Sequence, residues 1–212
     1  MKTIAICDDH KIVREGLKQI IAVFEGFDVT IEAESGEQLI QSLRGNTPDI
    51  LILDVSLPGR SGLEVLKQVK SFYPDLGVLV LSMYPEDQFA IRMLKAGASG
   101  YLHKDSAPEV LLEALKTIAE GDEYLSQKIT RLLYREMSGD NEELPHKKLS
   151  DREYEVLLYI GEGKSISEIA KQLSLSVKTI STYRTRILEK MGLDNNSDMV
   201  KYILLHDLAV GE

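Results

Sequence analysis

The sequence predicts an α/β fold, a five-stranded doubly wound parallel sheet, followed by a small all-α domain. Three observations carry this. Short apolar runs alternate with stretches of helical period five times before residue 120. Several of these runs are unbroken, as strands buried on both faces are. Beyond a polar segment at 138–148 that holds Gly and Pro, the pattern is helical throughout.

The elements follow in order. The apolar runs at 4–7, 29–33, 50–53, 78–81 and 101–102 predict five strands. Val13, Leu17, Ile20, Ile21 and Phe24 recur at three and four residues and predict the first helix. Ser35 and Gln38 have capping-box spacing before the second. Leu63, Leu66, Val69 and Lys70 mark the third, ending near Pro74. Phe89, Ile91, Leu94 and Ala96 precede Gly97 in the fourth. Val110, Leu111, Ala114, Leu115 and Ile118 precede Gly121 in the fifth. Five β–α units imply right-handed crossovers with helices on both faces. The common strand order for such a sheet is 2-1-3-4-5.

Residues 122–137 read as one more helix, with Ile129, Leu132 and Leu133 on one side. The expected division is therefore 1–121, a helix and polar linker at 122–148, and 149–212. In the last part Ser150 with Glu153, and Ser165 with Glu168, have capping-box spacing. A short turn at 173–176 precedes a helix that stops at Gly192. Ser197 begins another.

Composition narrows the function classes. The 212 residues are 43% hydrophobic and 28% charged, which excludes collagen-like and wholly disordered chains. Cys7 stands alone, so disulfide frameworks and Cys-based zinc fingers are excluded. With no Trp and 6% aromatics, a stacking platform for single strands is not expected. A net charge of −9 argues against a wholly basic nucleic-acid binder, yet permits a local basic patch. No apolar run approaches a bilayer span, and the N-terminus lacks a signal-peptide core, so a soluble, cytoplasmic chain with no membrane partner is expected.

The polar residues gather where ligands bind in open parallel sheets, at the carboxyl ends of the strands. Asp8 and Asp9 follow strand one, Asp54 ends strand three, Ser82 ends strand four, and Lys104 follows strand five. With strands one and three adjacent, the three carboxylates converge. They repel one another unless a cation compensates. Lys104 and a hard divalent ion, with Mg²⁺ the best match to oxygen ligands, supply that compensation. A carboxylate beside Mg²⁺ and Lys can serve as a nucleophile toward a phosphoryl group. Taken singly, Tyr101 reads as core, Cys7 as a small buried hydrophobe, and His10 and His103 as surface or satisfied histidines.

Residues 1 to about 120 resemble the receiver domain of two-component response regulators. The residues that carry the resemblance are Asp8-Asp9, Asp54 followed by Pro58-Gly59 and Gly62, Ser82, Gly97-Ala98-x-Gly100-Tyr101, and Lys104. The resemblance implies that Asp54 accepts phosphate from a sensor histidine kinase. It implies that Asp9, Asp54 and the main-chain carbonyl of Ser56 hold Mg²⁺, with Asp8 assisting. Lys104 and Ser82 would bind phosphoryl oxygens, and Ser82 with Tyr101 would form the switch pair.

Between 164 and 190, Lys164, Lys171, Lys178, Arg184, Arg186 and Lys190 face only Glu168 and Glu189. This basic stripe on an acidic chain is a candidate footprint on a phosphate backbone. Ile166, Ile169, Ala170 and Leu173 give one helix an apolar face. Val177, Ile180, Ile187, Leu188 and Met191 are expected to bury the next. Lys178, Ser181, Thr182, Thr185 and Arg186 are then left outward, with Tyr183 beside them, suited to a major groove. Residues 149–208 resemble the LuxR-type helix-turn-helix domain. The matching stretches are Leu149-Ser150-x-Arg152-Glu153, Gly161-x-Gly163-Lys164-Ser165, Leu173-x-Leu175-Ser176-x-Lys178-Thr179-Ile180 and Lys190-Met191-Gly192-Leu193. Tyr183 stands where the family often has His. Thr179 joins the expected DNA-contacting set.

The two resemblances together imply a response regulator of the NarL/FixJ type. Such a chain binds double-stranded DNA as a phosphorylation-dependent homodimer and regulates transcription. An aspartyl-phosphate hydrolase of the haloacid dehalogenase type is the enzyme alternative, and it needs a second acid two residues after the nucleophile. That position is Ser56, so only slow self-dephosphorylation is expected and no dedicated catalysis. A phosphorylation-controlled protein-interaction module that leaves DNA untouched is the other alternative, and the basic stripe argues against it.

Overall fold

The structure, a computed structural model, describes residues 1–84, 86–137, 144–206 and 208. Residues 138–143 of the expected linker, and 207 and 209–212 of the last expected domain, lie outside the described residues. The chain divides into two compact units, Met1–Tyr134 and Arg135–Glu212.

The first unit holds a parallel sheet of order β2-β1-β3-β4-β5. Its strands are β1 (Lys2–Cys7), β2 (Phe27–Ala33), β3 (Ile50–Asp54), β4 (Gly77–Ser82) and β5 (Gly100–His103). The unbroken run of β3 is buried at every residue, whereas edge strand β2 alternates. Between the strands lie α1 (Lys11–Ala22), α2 (Gly36–Leu43), α3 (Gly62–Phe72) and α4 (Glu86–Lys95), and α5 (Pro108–Ala119) follows β5. Period-two alternation sorts the core. Ile4, Ile6, Ile50, Ile52, Leu79, Leu81 and Leu102 pack with Leu17 and Ile21 of α1 and Leu111, Leu115 and Ile118 of α5. The intervening residues face the other side, where α2, α3 and α4 lie side by side.

Some local expectations shift. Ser35 caps α2, but the Gln38 side chain reaches back to the N–H of Glu34 rather than to the cap itself. In α4 the buried stripe is Phe89, Ala90 and Met93, while Ile91 and Leu94 are half-buried. The Lys70 ammonium donates to the carbonyls of Pro74 and Leu76, so it ties off the end of α3. The helix expected over 122–137 is shorter, α6 (Gln127–Met137), because Tyr124 bridges to Gly100 at the sheet edge and its N–H bonds the Ser99 carbonyl at 2.8 Å.

The second unit holds a 3₁₀ turn (Pro145–Lys148), α7 (Asp151–Gly161), α8 (Ile166–Gln172), α9 (Val177–Met191) and α10 (Asn196–Leu205). Both expected capping boxes form, Ser150 with Glu153 and Ser165 with Glu168. Gly192 closes α9 at φ +65°, a left-handed cap that a side chain disfavours. α10 starts near Asn196 rather than Ser197, with Asn195 accepting from the N–H of Asp198. Ile169, Ala170, Leu173, Ile180, Ile187, Met191, Met199 and Ile203 form the core. Among the described residues no helix is long and apolar enough to cross a membrane.

Candidate functional site

Asp8, Asp9, Asp54, Ser56, Ser82 and Lys104 sit at or beside a strand's carboxyl end, while Tyr101 lies within β5. Asp8 and Asp54 are 2% exposed, and Asp9 is exposed beside them. The Lys104 ammonium lies 2.7 Å from Asp8 Oδ2 and 2.7 Å from Asp54 Oδ2. Asp54 Oδ1 accepts the N–H of Ser56 at 3.2 Å. The Ser56 side chain therefore belongs to the loop that cradles Asp54 and brings no second acid.

The local sequence explains why Asp54 is so closely framed. Gly62 donates to the carbonyl of Val55 at 2.8 Å, which folds the β3–α3 loop back on the strand end. A Cβ at Gly62 would collide with main-chain atoms of Asp54 and Val55, so only glycine fits. Ser61 then caps α3 with Glu64 in a capping box, a signal present in the sequence that its periodicity alone did not flag.

Burial pushes the Asp54 carboxyl up, and nearby Asp8 adds to this against the pull of Lys104. Burial alone would lower Lys104, but Asp54 and Asp8 outweigh it and raise the ammonium. Burial also pushes the Cys7 thiol up, followed by Asp54 and Asp8, so it is an inert neighbour.

One ligand atom from each of Asp8, Asp9, Asp54 and His10 lies within 4.8 Å of the others. An octahedral ion with oxygen ligands at about 2.0–2.1 Å sets opposite ligands about 4.2 Å apart. The three carboxylates thus fit a small divalent cation with modest closing. His10 was not expected here. Its Nδ1 lies 2.8 Å from Asp9 Oδ1 and 3.4 Å from Asp8 Oδ1, and its N–H bonds Asp8 Oδ1. A nitrogen donor suits Mg²⁺ poorly, so the oxygen set is the better match.

Ser82 and Tyr101 are both fully buried. The Ser82 hydroxyl accepts the N–H of Tyr84 at 3.0 Å, and the Tyr101 hydroxyl donates to the Tyr84 carbonyl at 2.8 Å. The two switch candidates therefore meet on one residue of the β4–α4 loop. His103 is satisfied by the Met83 carbonyl and the Asp105 N–H.

Sequence reasoning missed Arg14. It shares the buried stripe of α1 with Leu17 and Ile21. A cation at that position in an apolar stripe was the available signal.

In the second unit α8, the turn and α9 form a helix-turn-helix. Leu175 donates to the Ala170 carbonyl at 2.8 Å, and Ser174 takes φ 54° to make the turn. Lys178, Ser181, Thr182, Thr185 and Arg186 are exposed on α9, while Tyr183 is half-buried. Thr179 is half-buried, with its hydroxyl 2.8 Å from that of Ser176 at the helix start. The hydroxyls of Ser181, Thr182 and Thr185 bond carbonyls one turn back, which leaves their methyl and methylene surfaces outward.

The basic stripe is thinner than the sequence count. Lys164 pairs with Glu162 at 2.7 Å, Lys190 with Glu153 at 2.6 Å, and Arg184 bonds Asn196. Lys171, Lys178 and Arg186 remain exposed. Val177, expected in the core, is 51% exposed, because the first helical residue has no preceding turn to cover it.

Comparison with known proteins covers both units. Residues 4–116 match the model of the response regulator receiver domain, and 147–203 match that of bacterial regulatory proteins of the luxR family. Response regulator UvrY of Escherichia coli K12 is 30% identical over all of this chain and 98% of its own length. Oxygen regulatory protein NreC of Staphylococcus epidermidis is 35% identical over 95% of this chain and 96% of its own. Among solved structures, RcsB of Salmonella enterica serovar Typhimurium, bound to promoter P1flhDC with the phosphomimetic BeF3⁻, aligns with TM-score 0.67. It is 30% identical over 95% of this chain and 98% of that one.

Proposed function

The chain belongs to the response regulators that join a receiver domain to a LuxR-type DNA-binding domain, and from that premise we propose that Asp54 is its phosphoacceptor. The observation that carries this is the Lys104 ammonium held 2.7 Å from both Asp8 and Asp54 in a pocket at the strand ends. A carboxylate oxygen of Asp54 forms the new P–O bond as the P–N bond of a kinase phosphohistidine breaks. Asp9, Asp54 and the Ser56 carbonyl would hold Mg²⁺, with Asp8 assisting. When bound, Mg²⁺ neutralises the acids and the incoming phosphoryl charge. Lys104 and Ser82 take phosphoryl oxygens, and Ser82 with Tyr101 relays the change.

The output is DNA binding through α9. RcsB was solved on promoter DNA and as two dimers on parallel DNAs. By that likeness this chain binds two half-sites as a phosphorylation-dependent homodimer in the cytoplasm. Lys178, Thr179, Ser181, Thr182, Thr185 and Arg186 form the contacting set. Residues 1–121 are the receiver, 122–148 the connecting helix and linker, and 149–212 the output domain. Self-dephosphorylation is slow and no dedicated enzyme activity follows, because Ser56 supplies no general acid.

The test is intact mass after treatment with acetyl phosphate and Mg²⁺. One phosphate is expected on the wild type, none on Asp54→Ala, and none after chelation. A full single-phosphate shift in Asp54→Ala overturns the assignment.

A further inference from the structure

Arg14 carries a guanidinium buried directly behind the acid pocket. Its Nη1 donates to the main-chain carbonyl of Asp8 at 2.7 Å, and its Nη2 donates to Glu34 Oε1 at 2.6 Å. Its Nε lies 3.7 Å from Glu32 Oε2. The residue is 4% exposed. A buried guanidinium is a weak source of stability, because removing it from water is costly, and Leu or Met would complete the apolar stripe more simply. We propose that Arg14 is a positioning residue for the divalent-cation site, holding the peptide between Asp8 and Asp9 so that both acids address Asp54. The proposal rests on the reading that these acids hold the ion.

The hydrogen bonds around Asp8 single out this role. Its N–H is fixed by the Ala33 carbonyl at 3.1 Å. Its carboxylate is fixed by the His10 N–H at 2.8 Å and by Lys104 at 2.7 Å. The Lys104 pair holds Asp8 itself, and the His10 N–H fixes the peptide on the far side of Asp9. The bond from Arg14 to the Asp8 carbonyl acts on the next peptide plane. That plane is rigid and carries the nitrogen and Cα of Asp9 with it. Without the guanidinium, Asp8 stays paired with Lys104, and the Asp9 carboxylate is left to its 2.8 Å contact with His10 Nδ1 on the exposed side.

The shape of the side chain matters as much as its charge. Glu34 follows β2 directly, so the fork joins the ends of β1 and β2 to α1. A planar guanidinium reaches both acceptors at once, and a lysine ammonium is a point charge on a flexible stem. Partners that orient metal ligands in this way change metal affinity about 10–100-fold when removed.

The experiment titrates the full-length protein with Mn²⁺ and reads the free ion by electron paramagnetic resonance. Arg14→Lys is expected to bind about 10-fold more weakly than wild type. Mn²⁺ affinity within about twofold of wild type in Arg14→Lys, with a normal circular-dichroism melt, overturns the proposal, since charge alone then suffices. Should Arg14→Lys not fold, Glu34→Ala decides, because its carboxylate is 66% exposed and its loss leaves the core intact. A weaker Mn²⁺ affinity in Glu34→Ala supports the proposal and an unchanged one overturns it. Asp9→Asn separates the two levels. If it binds Mn²⁺ as wild type does, the acid-pocket reading itself falls and the proposal falls with it.

Discussion

The Tyr101 hydroxyl donates a 2.8 Å hydrogen bond to the main-chain carbonyl of Tyr84. The N–H of the same residue is held by Ser82 at 3.0 Å. One residue of the β4–α4 loop is thus gripped by both members of the expected switch. In the proposed switch, Ser82 would turn toward a phosphoryl oxygen and release that N–H, allowing the loop a second arrangement. Tyr101→Phe removes one grip without changing the ring. It is expected to lower stability by about 1 kcal/mol in a urea melt. It should leave phosphate uptake on Asp54 intact and weaken phosphate-dependent dimerisation, read by sedimentation. Unchanged dimerisation would remove Tyr101 from the switch.

Lys104 is the residue expected to separate acceptance from response. Its ammonium spans Asp8 and Asp54 before any phosphate arrives. Lys104→Ala is expected to keep some labelling by acetyl phosphate, since Mg²⁺ would still meet the acids. It should lose the change in oligomeric state that labelling produces. Normal phosphate-dependent dimerisation in Lys104→Ala contradicts this role.

Asp54 is held against its own preference. Its carboxyl is raised by burial and by Asp8. A raised carboxyl costs stability above its folded value, and the cost fades as pH falls through that value to the ordinary carboxylate range. Asp54→Asn is therefore expected to melt higher than wild type at pH 7, with the gap closing toward about pH 4. Saturating Mg²⁺ should raise the wild type and narrow the gap, because an ion that binds the native state stabilises it. Differential scanning calorimetry across pH, with and without Mg²⁺, checks both expectations.

Lys190 lies within the basic stretch, yet its ammonium is 2.6 Å from Glu153, which is 2% exposed in the first turn of α7. Burial would raise Glu153, but bonds from Lys190 and Ser150 outweigh it and lower the carboxyl. A lowered carboxyl gives stability above the ordinary carboxylate range that is lost as pH falls through its folded value. Lys190→Met is expected to destabilise the second unit by about 1 kcal/mol and to flatten its acid melting. The salt slope of DNA binding should change little.

The strands and the strand-end acids were legible because burial on both faces leaves unbroken apolar runs, and the order is the one common to such sheets. The Ser150–Glu153 and Ser165–Glu168 capping boxes were legible because they are local, whereas the Gln38 side chain bonds the N–H of Glu34 instead of that of Ser35 and the Ser61–Glu64 box went unread. What periodicity could not show was which charge folds onto which. Arg14 reads as a gap in a stripe until the Asp8 carbonyl is seen beneath it. Lys190 counts as a free cation until α7 brings Glu153 to it. Val177 looked like core because its spacing fits Ile180, yet a first-turn residue has no turn before it.

The exposed face of α9 carries two kinds of side chain. Lys178 and Arg186 are exposed cations, and Ser181, Thr182 and Thr185 are small residues whose hydroxyls are engaged with carbonyls one turn back. Cations contribute to phosphate binding at any sequence, through counterion release. Threonine methyl groups discriminate, because thymine alone offers a methyl in the major groove. Lys178→Ala and Arg186→Ala are expected to weaken binding to operator and random duplex alike, each reducing the salt slope by about one. Thr182→Ser and Thr185→Ser keep the hydroxyl and remove the methyl. They are expected to cost about 1 kcal/mol on the operator and little on random duplex. Replacing thymine by uracil at the contacted step should then cost the wild type affinity and leave the serine variant indifferent. Equal losses on operator and random duplex for Thr182→Ser and Thr185→Ser would mean that α9 reads sequence elsewhere.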